Sequence, residues 1–165
     1  MFKSVRICLF SAALSVFLPS CSRPEHSYLT IQVCLKDQRG IFQFFEIMRQ
    51  IAQSENLRFI DGSAKTADAL KVMGADKYLK SDPARSINVG IVGDRGMGVT
   101  AGNLGLPPYQ VALGFTEGSD AAKAHRLSSH LVAALSQYWN VEIVPKGRGA
   151  SPMKACDGIR LKQDP

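Results

Sequence analysis

The chain of 165 residues has no long apolar run: the stretch Ile7 to Leu18 holds twelve residues and is broken by Ser11 and Ser15. At about 1.5 Å per helical residue it falls well short of the ~30 Å hydrocarbon core, which excludes a spanning helix there. Histidine is scarce, with three residues, and there is no C-x-x-C or H-E-x-x-H, so the common zinc patterns are missing. No G-x-S-x-G nucleophile turn and no G-K-[ST] phosphate loop is present. His125 and His130 are five residues apart, about 140° around a helix, so they cannot ligate one ion from one face. There is no internal repeat and no low-complexity run. An apolar share of 45% with 21% charge excludes a mainly disordered or fibrous chain. The length suits one ordinary domain.

What is present begins with a compartment signal. Lys3 and Arg6 are the only charges before Arg23. A positive start, a short apolar stretch and small residues at its exit describe a secretory signal peptide over residues 1–20. The residues that follow, Leu18-Pro19-Ser20-Cys21, resemble the lipobox of bacterial lipoproteins. That resemblance covers four residues and the apolar stretch. It implies that Cys21 becomes the lipidated first residue of the mature chain, and that Ser22 directs it to the outer membrane. A cut after Ser22 is the alternative, and it would discard Cys21. Residues 21–27 form a tether, and the six from Ser22 to Ser27 reach at most about 20 Å.

Cys8 leaves with the signal peptide, so Cys34 and Cys156 remain in the folded part. In an oxidising compartment such a pair is expected to be bonded. The alternative is two unrelated buried thiols.

A single domain is expected over residues 28–145. Leu29, Ile31, Val33 and Leu35 alternate with Tyr28, Thr30, Gln32 and Cys34, which reads as a strand. Asp37 is placed to cap a helix whose stripe is Ile41, Phe44, Phe45, Met48, Ile51 and Ala52, ending at Asn56. A strand follows over Leu57 to Asp61, then a short helix over Asp68 to Met73 and a turn through Asp82-Pro83. Ile87, Val89 and Ile91 make a third strand, and Tyr109, Val111, Leu113 and Phe115 a fourth. A second main helix starts near Asp120 with the stripe Ala124, Leu127, Leu131, Ala134, Leu135 and Tyr138. A short strand over Val141 to Val144 closes the domain. The order predicts an α+β fold: a two-layer α/β sandwich, ferredoxin-like in outline, with a mixed, largely antiparallel sheet and two main helices on one face.

This alternation places Thr30, Gln32, Cys34, Asn88, Gly90, Ala112 and Gly114 on the face away from the helices. A Cys34–Cys156 bridge would draw the C-terminal tail, residues 146–165, across that face.

Residues Gly93 to Pro108 hold five Gly and two Pro and read as a long loop. Asp94, Arg95, Met97 and Asn103 are its candidate partner contacts. Asp61, Asp94 and Glu117 lie at strand ends, where a carboxylate pair could meet for acid–base work. No cofactor and no metal site is expected.

The net charge of +6 divides unevenly. Lys3 and Arg6 depart with the leader, leaving 18 basic and 14 acidic residues of the original 20 and 14. The tail holds Lys146, Arg148, Lys154, Arg160 and Lys162 against Asp157 and Asp164. A near-neutral domain with a basic tail does not suit nucleic acid. The sequence therefore points to an exported envelope lipoprotein on the periplasmic side. Its expected role is a non-catalytic protein-binding module, in one version an inhibitor or immunity protein against a periplasmic toxin. The alternatives are a small periplasmic hydrolase using strand-end carboxylates and a small-ligand or lipid-binding module.

Overall fold

A computed structural model describes residues 27–74 and 86–156. The expected leader, Cys21, the turn through Asp82-Pro83 and the last residues of the tail lie outside the described residues. The elements are β1 (Leu29–Cys34), α1 (Gln38–Ser54), β2 (Arg58–Asp61), α2 (Ser63–Val72), β3 (Asn88–Val92), β4 (Gly98–Gly102), β5 (Gln110–Thr116), α3 (Ala121–Ser136) and β6 (Val141–Ile143). The strands form one sheet in the order β2-β3-β4-β5-β1-β6, and every pairing is antiparallel. No described helix is long and apolar enough to cross a membrane.

The fold is a two-layer α+β sandwich, with α1 and α3 packed side by side over one face of the sheet. β5, α3 and β6 form a split β-α-β unit: β5 and β6 run the same way with antiparallel β1 between them. α1 departs from the ferredoxin-like outline, carrying the chain from β1 to the far edge strand β2. The sheet is antiparallel throughout the described residues, not mixed.

Local chemistry sets the helix ends. Asp37 Oδ1 accepts from Gly40 N at 2.8 Å and Asp120 Oδ1 from Lys123 N at 2.9 Å, so both helices start on a carboxylate cap. α1 stops at Asn56, whose φ of 53° breaks the helical path. Its buried stripe is Ile41, Phe44, Ile47, Met48 and Ala52, whereas Phe45 and Ile51 are only half-buried. At the end of α3, Tyr138 is 53% exposed, and Trp139 takes the inward position expected of it. α2 starts earlier than its apolar residues suggest, because Asp61 Oδ1 accepts from Ser63 N and turns the chain there.

The largest difference from expectation is β4. Residues Gly98 to Gly102 form a sheet strand between β3 and β5. The expected sixteen-residue loop is thus two shorter connections. Only Val99 and Ala101 of β4 face the helices, while Gly98, Thr100 and Gly102 face away, so its alternation is carried by small residues.

The face away from α1 and α3 is crossed by the C-terminal segment. Cys34 and Cys156 are bonded across a separation of 122 residues, and Met153 is buried with them. Gln110 Nε2 donates to Ser151 O at 2.6 Å, and Gln110 Oε1 accepts from Met153 N at 2.9 Å. Gln32 Oε1 accepts from Ser151 N at 3.1 Å. Gln32 and Gln110 stand on adjacent strands at 5% and 0% exposure. A buried primary amide carries both donors and acceptors, so two of them can satisfy the backbone of a segment that pairs with no strand edge.

Candidate functional site

The β3–β4 connection is a tight, fixed turn. Gly93 N donates to Met97 O at 2.8 Å and Met97 N donates to Asp94 O at 3.2 Å. A short 3-10 turn, Asp94–Gly96, lies between, with Arg95 at φ 52° and ψ 42°. The left-handed region costs a β-carbon residue about 1–2 kcal/mol, so surrounding contacts must hold Arg95 there. The β5–α3 connection supplies them. Thr116 Oγ1 donates to Gly96 O at 2.7 Å. Gly118 has φ 57°, and a Cβ on it would stand 2.3 Å from Met97 N and 2.6 Å from Arg95 O. Glycine is required there because the two turns touch backbone to backbone.

This stapled corner borders two open depressions at one end of the sheet, about 450 and 380 Å³ in volume. They share Asp94 and Lys123. One adds Arg95, Met97, Ser119 and Asp120; the other adds Asn56, Leu57, Arg58, Val92 and Gly93. Together they form a notch between the β3–β4 turn, the start of α3 and the α1–β2 loop. Asp94, Arg95 and Arg58 are exposed, and Lys123 is half-buried. The Asp120 carboxylate is engaged as the α3 cap. The rim therefore offers cations and an anion together. Both left-handed non-glycine residues of this end, Asn56 and Arg95, sit on it. Small-molecule sites are mostly apolar and enclosing. A wide, charged, open notch instead suits a surface that meets another macromolecule.

The four expected contact residues separate. Asp94 and Arg95 are on the rim. Met97 is 2% exposed and belongs to the core, where its side chain fills the space beneath Gly93. Asn103 is 5% exposed, and its Oδ1 accepts from Ile87 N at 2.8 Å, closing the far end of β3 onto β4. Neither is placed to meet a partner. Lys123, Arg58 and Asn56 were not singled out by sequence reasoning. Asn56 carried the available signal, as an Asn that ends a helix in the left-handed region.

The carboxylates do not assemble. Asp61 pairs with Val89 toward the Asn88 end of β3, whereas Asp94 and Glu117 lie at the opposite end of the sheet. Asp61 is already turned onto Ser63 N. Glu117 faces His125, at 3.2 Å from Oε1 to Nε2. His125 also packs against Tyr28, with ring centroids 4.6 Å apart and planes tilted by 58°. His130 and Arg126 both meet Glu55, whose side chain is 8% exposed, so these three clamp α3 to the end of α1. Burial raises the Tyr28 hydroxyl above its ordinary value near 10; Glu117 adds to the rise and a hydrogen bond with Ser128 opposes it. Among the described residues no group of three or more His, Cys, Asp or Glu is placed to hold a metal ion.

No family model, curated protein or solved structure matches the chain.

Proposed function

We propose that the chain is an exported lipoprotein of the cell envelope, anchored through Cys21 at the periplasmic side of the outer membrane, and that it works as a non-catalytic protein-binding module. The notch beside Asp94 and Arg95 is the surface that engages the partner. The observation that carries this reading is the stapled β3–β4 turn, which fixes exposed charges of both signs at an open notch. Mixed charges on a rigid rim give partner selectivity and orientation. An inhibitor or immunity protein that presents this turn to the cleft of a periplasmic toxin is one concrete form of the role.

Two measurements test it. Intact mass of the membrane-extracted chain should show a mature protein starting at acylated Cys21; an unacylated chain starting at Arg23 removes the anchor. Affinity capture from envelope extracts should recover one stoichiometric protein partner with the wild-type chain. Replacing Asp94→Lys with Arg95→Glu should abolish that capture while leaving the melting temperature unchanged. Equal capture by the variant would remove the notch from the reading.

A further inference from the structure

Both ends of the described chain lie on the sheet face opposite α1 and α3. Ser27 lies over Gly114, where a Cβ would come within 2.6 Å of Ser27 Oγ. At the other end of β1 the Cys34–Cys156 bridge holds the C-terminal segment on the same face. Between them the surface is low: Thr100 is exposed, and Thr30, Gly102, Ala112 and Gly114 are half-buried. Among the described residues, Lys146, Arg148 and Lys154 border this face, all exposed, and the carboxylate Glu142 stands on it. Glu142 accepts from Gln32 Nε2 at 3.1 Å. Lys146 and Arg148 sit in the connection that leaves Val144 at the β6 edge and arrives over Gln110 at Ser151. A Cβ on Gly147, at φ 81°, or on Gly149 would meet no described atom within 4 Å, and Lys146 and Arg148 between and beside them are exposed.

We propose that this face, with Lys146 and Arg148 at its margin, rests on an anionic lipid surface, and that α1 and α3 are turned away from it. The proposal rests on the envelope reading above in one respect. If Cys21 is anchored, the six residues to Ser27 reach at most about 20 Å. The chain then enters the fold on this face, so this face is held near the headgroups. Charge favours the same face. Basic residues near an anionic leaflet are each worth about 1 kcal/mol, and Lys146 and Arg148 lie on the connection that rides onto this face. The notch remains accessible at the sheet end, where α3 and the α1–β2 loop form its outer wall.

The test uses the oxidised, unlipidated chain from Ser22 onward, which keeps every described element. Its fold is checked by circular dichroism, and its bridge by non-reducing electrophoresis. Binding is measured by sedimentation with vesicles of phosphatidylglycerol and phosphatidylcholine in equal parts, and with pure phosphatidylcholine vesicles. The expected result is binding to the anionic vesicles only, falling as salt rises. Lys146→Glu with Arg148→Glu should weaken it by at least about 30-fold, the loss of two such cations alone. Arg39→Glu with Arg49→Glu on α1 alters net charge equally and should weaken it less than threefold.

Equal loss in the two double variants, equal binding to both vesicles, or no binding would each overturn the proposed face. Failure of acylation in the intact-mass measurement, with this vesicle result intact, would remove the anchor and leave a peripheral lipid-binding face.

Discussion

Loss of the Cys34–Cys156 bridge should release the C-terminal strap before it unfolds the domain. The perturbation is Cys34→Ala with Cys156→Ala, which leaves no lone thiol. Closing a loop of 122 residues is worth about 5 kcal/mol in the chain-entropy account. That is an upper bound on the loss, because the strap has little else to hold it. Three hydrogen bonds join residues 151–153 to Gln32 and Gln110, each contributing about 1 kcal/mol net. Burying Met153 adds about 1.5–3 kcal/mol. Against these stands the ordering of some ten residues, at about 1–2 kcal/mol each. Without the covalent link the ordering cost wins, and the strap detaches in the folded state. With roughly 120 ordered residues, 1 kcal/mol corresponds to about 4 °C, so Tm should fall by up to about 20 °C. The decisive assay is amide exchange. The amides of Met153 and Cys156, bonded to Gln110 Oε1 and Met153 O, should exchange freely in the variant, while those of β1 and β5 stay protected. Continued protection at position 153, or an unchanged Tm, would refute this account.

Gly118→Ala should cost about 1–3 kcal/mol from its positive φ alone, with more from the approach to Met97 N, and should reduce partner capture beyond its effect on Tm; a neutral substitution would mean the two turns are not stapled. Gln110→Leu removes one donor and one acceptor under the strap and should cost about 2 kcal/mol in chemical denaturation, with faster exchange at Met153. The raised pKa of Tyr28 means that the folded state holds its proton more tightly than the unfolded chain. Its contribution is therefore complete below pH 10 and is lost as pH rises through the folded value. Tyr28→Phe should lose about 1 kcal/mol at neutral pH, through the hydroxyl's bond to Ala124 O, and should flatten the stability decline above pH 10; an unaltered alkaline slope would show that Tyr28 does not titrate in that transition.

The elements that could be read in the sequence are those whose two faces differ in size and polarity. β1 alternates Ile31 and Val33 with Gln32 and Cys34, and both helix starts carry an Asp whose short carboxylate reaches the backbone. The bridge was legible because only Cys34 and Cys156 fall within or beyond the expected folded domain once Cys8 goes with the leader and Cys21 carries the anchor, and the parity of Cys34 placed the strap on the correct face. The notch was legible only in part. Asp94 and Arg95 stood out through the glycines around them. Lys123, Arg58 and Asn56 come from three other segments and meet only after the sheet brings strand ends together. Asp61 and Asp94 looked equivalent as strand-end carboxylates. Strand direction, which composition does not encode, puts them at opposite ends of the sheet.

β4 hid for a reason that lies in its backbone packing. A strand covered on one face needs bulk on that face only, and Val99 and Ala101 supply it. Gly98 is buried and the sheet itself requires it, because a Cβ there would stand 2.3 Å from Ile91 O; Gly102 faces the same way with its nearest described neighbour, Ile87 O, at 3.4 Å. Gly90 and Gly114 continue the pattern on β3 and β5. Glycine in a strand costs about 0.5–1 kcal/mol relative to Ala, so four of them across three neighbouring strands are a standing expense in stability. At Gly114 the reason is visible, since Ser27 occupies the space. At Gly98 the Ile91 carbonyl does the same, at 2.3 Å from where a Cβ would stand, and at Gly90 a Cβ would crowd Val99 O at 3.1 Å; Gly102 alone of the four has ordinary room among the described residues. The glycines that concealed the strand are thus set by how closely neighbouring backbones and Ser27 approach β3, β4 and β5, a constraint that leaves no hydropathy pattern in the sequence.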